Sequence, residues 1–138
     1  MADLAEVADP QEYDAEVLAR ALYGEAAQGS KRGRRGISDT MFNDLDTGYS
    51  GSERLDEVLR KRLTAVRTNS KQYQKASDPS SRNDWEEGKY QEILSEAREV
   101  VGERYSGKWK STVGKARHFE HVKANGMPDG WLDRKSVV

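Results

Sequence analysis

Pro10-Gln11-Glu12-Tyr13-Asp14-Ala15-Glu16-Val17-Leu18-Ala19-Arg20-Ala21-Leu22-Tyr23-Gly24-Glu25-Ala26-Ala27-Gln28 reads as one amphipathic helix, and the remainder of the chain is best understood from it. With 3.6 residues per turn, Leu18, Ala21, Leu22 and Glu25 fall on a single stripe, because their spacings are three, four and seven. The acid therefore lies on the apolar side, while Glu12, Glu16 and Arg20 take the wet side. Burial disfavours the charged form of a carboxyl, which suits such a group to donate a proton near neutral pH. Two readings are open here: a catalytic acid, or a buried glutamate paired with Arg20 or an arginine of the 31 to 35 cluster. Gly24 leans toward the first. A glycine inside a helix costs roughly 1 kcal/mol against alanine, and close approach by another backbone or a ligand is a common compensation.

Composition limits the classes of function. The chain has 138 residues, 35% of them apolar and 34% charged, which fits one domain with a modest core under a heavily charged surface. Lys and Arg total 23 against 24 Asp and Glu, a net charge of -1, so general nucleic-acid binding is not expected. The positive charge is clustered at Lys31-Arg32-Gly33-Arg34-Arg35 and Arg60-Lys61-Arg62. There is no cysteine, hence no disulfide framework and no thiolate metal site. No apolar run approaches the roughly 20 residues of a transmembrane helix, and Met1-Ala2-Asp3-Leu4-Ala5-Glu6 lacks a signal-peptide pattern.

In chain order, residues 1 to 10 read as an arm and 11 to 138 as the functional domain. Gln28-Gly29-Ser30 ends the first helix, and the basic stretch 31 to 36 is expected to be a mobile loop flanking Glu25. Ile37, Met41, Phe42 and Leu45 give a short second helix. A turn-rich loop follows, with Ser52 placed to cap a third helix over 53 to 66 carrying Leu55, Val58, Leu59, Leu63 and Val66. Its opposite face, bearing residues 60 to 62, is expected to be solvated. The polar run from Thr68 to Asp84 reads as a long loop, disordered or functional, whose amides and Tyr73 suit sugar or peptide recognition. Asp84 is the expected cap of a fourth helix over 85 to 105 that buries Trp85, Ile93, Leu94, Ala97, Val100 and Val101. Beyond Tyr105 the chain is irregular and aromatic-rich, and is expected to fold over the helices.

His118-Phe119-Glu120-His121 places two histidines three apart around a carboxylate, whereas zinc helices space them four apart, and no third ligand is evident. No metal or cofactor is therefore expected. A Gly-x-Ser-x-Gly elbow and the phosphate-binding glycine motifs are also absent from the sequence.

Leu18-Ala19-Arg20-Ala21-Leu22-Tyr23-Gly24-Glu25-Ala26 resembles the opening signature of the spore-cortex-lytic type cell-wall hydrolases, a family with a lysozyme-like lytic transglycosylase fold whose catalytic acid is that glutamate. The likeness continues in order. Ile37 through Asn43 resembles the family's second helix, Gln72-Tyr73 its substrate-groove element, and Gly114-Lys115-Ala116-Arg117-His118-Phe119 with Pro128 and Trp131 its closing segment. The sequence departs from the pattern at Asp44 and Gln74 and in the arginine-rich 31 to 35 stretch, which bears on substrate contacts more than on the acid.

The resemblance implies a mainly α, lysozyme-like domain with a groove between the Glu25 helix and residues 69 to 74. It also implies cleavage of peptidoglycan glycan strands between N-acetylmuramic acid and N-acetylglucosamine, with Glu25 as general acid and Tyr23, Asn43, Gln72, Tyr73, His118 and Phe119 as substrate-binding residues. Asp39, Asp44 and Asp46 are the candidate second carboxylates; Asp44 and Asp46 read as solvated loop or capping residues and Asp39 as lying on the polar side of its helix. The basic clusters could steer the protein to an acidic polymer. Small size and the missing leader fit a phage lysin carried in a virion and acting on the bacterial cell wall. The alternatives are a metal-dependent murein endopeptidase using Glu25 with His118 and His121, and a non-catalytic wall-binding or virion protein.

Overall fold

The computed structural model describes residues 9–117, and among them every regular element is helical, with no strand. The elements are α1 (Pro10–Ala26), α2 (Lys31–Thr47), α3 (Leu55–Arg62), α4 (Thr64–Arg67), α5 (Lys71–Ser77), a 3-10 turn (Pro79–Ser81) and α6 (Asp84–Tyr105). None of these helices is long and apolar enough to cross a membrane.

α1 is the central strut, touching every other helix and packing most extensively against α6 and α5. It starts where expected, with Pro10 in its first turn and the Asp9 side chain accepting from the Gln11 amide. Its apolar stripe is sealed: Leu18, Ala21 and Leu22 are at most 1% exposed. Against them lie Ile37 and Met41 of α2, Leu59 of α3 and Ile93 of α6, each burial being worth about 1.5–3 kcal/mol.

The basic stretch expected as a mobile loop is instead the first turns of α2, capped by Ser30, whose hydroxyl accepts from the Gly33 amide at 2.9 Å. Of its arginines, Arg34 is buried and Arg35 half-buried. Arg34, 2% exposed, donates to both carboxylate oxygens of Glu96 at 2.8 and 2.7 Å, and Arg35 pairs with Asp39 and Glu103. Charge consumed this way is not available for long-range steering.

The third helix is shorter than its apolar periodicity suggests. The chain goes extended at buried Leu63 (φ -104°, ψ 120°) and resumes as the single turn α4. Ser52 does not cap α3; Arg54 precedes it without a side-chain cap, and Ser52 is buried against the Ser50 hydroxyl. Arg62 is not on a solvated face either, because it donates to Asp44 at 2.6 Å and to the Arg117 carbonyl at 2.8 Å.

The polar run from 68 to 84 is ordered. Asn69, at φ 51°, turns the chain between α4 and α5, and Ser70 caps α5 by accepting from the Tyr73 amide. α6 is capped by Asn83 rather than Asp84, in a reciprocal box in which the Glu86 carboxylate accepts from the Asn83 amide. Ile93, Leu94, Ala97, Val100 and Val101 are buried as expected, whereas Trp85 is 55% exposed.

After α6, the described residues up to 117 fold back over α2. The Trp109 ring meets Phe42 edge-on at 5.7 Å and its indole donates to Asp39 at 2.8 Å. Residues 118 to 138, with the expected closing segment from His118 onward, lie outside the described residues, as do residues 1 to 8 of the arm.

Candidate active site

Glu25 occupies the last turn of α1, half-buried, where α4 and α5 come against that helix. One carboxylate oxygen accepts from the Ala65 backbone amide at 2.6 Å, and the other is shielded from water. Ala65 belongs to the single turn α4, whose N-cap Leu63 has no side-chain oxygen to offer. A carboxylate from another helix thus supplies the acceptor that this turn lacks.

Gly24 explains how the helices come so close. A Cβ added there would lie 3.0 Å from the Cβ atoms of both Ala65 and Tyr73, and 3.3 Å from the Tyr73 Cα. The close backbone approach suggested by the glycine is therefore present, and α5 is the element that makes it. At that position α5 lies directly against α1. A cavity of about 530 Å3 lies on the far side of α5, lined by Asn69, Lys71, Gln74 and Lys75, and it does not include Glu25.

α5 is held from behind by α6. Lys75 donates to Glu86, and Arg82 donates to the carbonyls of Lys75 and Ala76 at 2.8 and 3.0 Å while its guanidinium stacks on the Tyr90 ring at 4.2 Å. The Asn83 amide and the Lys75 ammonium hold the Glu86 carboxyl below the usual carboxylate range.

The other residues expected at the site are dispersed. Tyr73 is half-buried against α1, and Gln72 is exposed on the same helix. Tyr23 is core rather than surface: it is 1% exposed, its ring packs on Tyr90 at 6.1 Å, and burial pushes its phenol up. Asn43 faces away from solvent, its amide donating to the carbonyls of Gly114 and Ala116 at 2.9 and 2.8 Å. It ties α2 to residues 114 to 116. His118, Phe119 and His121 lie outside the described residues. Among the described residues no three His, Asp or Glu side chains are arranged to hold a metal ion.

The candidate second carboxylates are placed differently from the expectation. Asp39 and Asp44 are both 0% exposed. Asp39 accepts from Arg35, the Trp109 indole, and the Thr112 amide and hydroxyl. Asp44 accepts from Arg62 and from the Ser50 amide and hydroxyl. Only Asp46 is at the surface, in a two-pronged pair with Arg104 at 2.7 Å.

One positioning residue escaped the sequence reading. Besides binding Glu96, Arg34 donates to the carbonyls of Gly29 at 2.6 Å and Ala26 at 3.3 Å, which pins the end of α1 one residue beyond Glu25. Its signal was present as a Ser-x-x-x-Arg start after a helix break, but its partner is 62 residues away.

Comparison of the chain with protein-family models, with curated proteins and with solved structures gives no match.

Proposed function

We propose that the protein cleaves the peptidoglycan glycan strand between N-acetylmuramic acid and N-acetylglucosamine as a lytic transglycosylase of lysozyme-like fold, delivered to the cell wall as a phage lysin. The observation that carries the reading is Glu25 itself: a carboxyl on the apolar side of the central helix, half-buried and oriented by the Ala65 amide. The Tyr-Gly-Glu-Ala context and the mainly helical architecture support it.

In this reading the glycan strand must displace what covers the second Glu25 oxygen to reach the acid. The acid protonates the glycosidic oxygen, the bond to the muramic C1 breaks, and the leaving sugar departs as an alcohol. The resulting carboxylate then takes the proton of the muramic 6-hydroxyl as that oxygen closes on C1, so no water is consumed. The sealed environments of Asp39 and Asp44 favour this one-acid route over hydrolysis, which needs a second carboxyl across the scissile bond.

Turbidity loss of purified sacculi tests the assignment. Glu25→Gln is expected to keep the fold, since the amide can still accept from Ala65, and to lose about 100-fold or more of the rate. The capping contact favours a second reading, in which Glu25 only secures α4; then sacculi would be untouched by the unaltered protein, and Glu25→Ala would lower the melting temperature without any lytic phenotype.

A further inference from the structure

The end of α1 opposite Glu25 borders a cavity of about 580 Å3, within the size range of small-ligand sites. Its apolar surface comes from Phe42, Leu55 and Val101, and its walls include the rings of Tyr13 and Tyr105. Both tyrosine protons are already committed: Tyr13 donates to Asp56 at 2.8 Å and Tyr105 to Asp14 at 2.9 Å. What these hydroxyls can still present is oxygen lone pairs.

The cations at the rim are also taken up. Arg104 is held by Asp46 and stacked over Phe42 at 4.5 Å, and Arg54 pairs with Asp56 and Glu57. Three carboxyls, Asp14, Glu53 and Asp56, share the lining with those arginines, and Asp14 is the one held by the Tyr105 phenol. Among the described residues the Tyr105 hydroxyl is its hydrogen-bond donor, and no Lys or Arg side chain forms an ion pair with it. Burial pushes its carboxyl up and the Asp56 carboxylate adds to the rise, while the Tyr105 hydroxyl and the Arg104 guanidinium oppose it. Apolar surface, aromatic walls and three carboxyls set against two arginines that are already paired call for a ligand that is a cation and a donor.

We propose that this cavity binds a protonated amine on a short aryl-alkyl body, with the ammonium on Asp14 and the body against Phe42, Leu55 and Val101. Asp14 lies three turns before Glu25, about 16 Å along the axis. The site is therefore separate from the glycan chemistry and stands whether or not that assignment holds.

The test is a 15N NMR titration of the full chain with phenethylammonium chloride and, as the neutral counterpart of similar size, 3-phenylpropanol. Saturable shifts are expected at Tyr13, Asp14, Phe42 and Tyr105, with the amine bound about tenfold or more tighter than the alcohol, the amount one charge-assisted hydrogen bond supplies. Asp14→Asn should weaken the amine about tenfold and leave the alcohol unchanged, while Glu25→Gln should alter neither. Equal affinity for amine and alcohol, shifts elsewhere on the protein, no saturable shift, or full amine affinity in Asp14→Asn would each overturn the proposal. Should Asp14→Asn fail to fold, the amine-to-alcohol ratio on the unaltered chain decides alone.

Discussion

At Gly24, a hydrogen in place of a methyl group lets three helices meet beside Glu25. Two effects oppose each other when that hydrogen is replaced. Alanine is worth up to about 1 kcal/mol in a helix interior over glycine, but overpacking a tight contact costs about 1–3 kcal/mol. Here the added carbon meets two Cβ atoms at 3.0 Å and a backbone Cα at 3.3 Å, so the neighbours to be moved are helices rather than flexible side-chain ends. Gly24→Ala is therefore expected to lower stability by about 1–2 kcal/mol in urea unfolding and to reduce sacculus lysis, since both Ala65 and Tyr73 shift relative to Glu25. A more stable variant would mean that α5 yields freely. Arg34 gives the second prediction at this scale. It is 2% exposed and binds Glu96 through two parallel hydrogen bonds, so removing one partner leaves a buried charge uncompensated. Arg34→Met and Glu96→Leu should each cost about 3–5 kcal/mol, and the double variant much less than their sum. Additive losses in that cycle would show the pair to be energetically uncoupled.

Among the elements, α5 owes little to apolar burial; Ala76 is its one buried residue, and the helix stands through the Ser70 cap, the Tyr73 contact and the Lys75–Glu86 pair. The pair makes the anchorage pH-dependent. The Glu86 carboxyl is held below its ordinary value in the fold, so the unfolded chain binds its proton more readily, and the contribution is complete above the ordinary glutamate range near about 4.3. It is lost as pH falls through and below that range. Thermal unfolding followed between neutral pH and pH of about 3 should show a shallower acid loss in Glu86→Gln than in the unaltered protein; identical slopes would remove Glu86 from the account. This dependence on distant partners also explains which elements were legible in the sequence. α1 and α6 declare themselves by local signals, Pro10 after Asp9 and a long stripe from Ile93 to Val101. The start of α2 and all of α5 do not, because Arg34, Arg35 and Lys75 read as solvent-facing until Glu96, Glu103 and Glu86 are brought to them by the fold. The break at Leu63 was hidden for the opposite reason, since an apolar residue in register reads as helix whatever its backbone does.

For the whole molecule, the organising fact is that α1 touches every other helix, so its two ends are fixed in different surroundings: Glu25 against α4 and α5, and Asp14 against the end of α6. The half-buried position of Glu25 was legible because it breaks the polarity of its own helix. The roles of Tyr23 and Asn43 were not, because burial on Tyr90 and hydrogen bonds to Gly114 and Ala116 depend on segments far along the chain. The same holds for Asp39 and Asp44, which look like surface acids in sequence and are fully enclosed in the fold. With those two withdrawn, the account rests on one carboxyl working first as acid and then as base. Mass spectrometry of the muropeptides released from sacculi by the purified protein tests this most directly. The account predicts fragments ending in 1,6-anhydro-muramic acid, lighter by one water than those from a lysozyme digest and without new reducing ends, and none from Glu25→Gln. Fragments bearing a free reducing muramic acid would contradict it, as would peptide-stem cleavage with intact glycan or sacculi left whole by the unaltered protein.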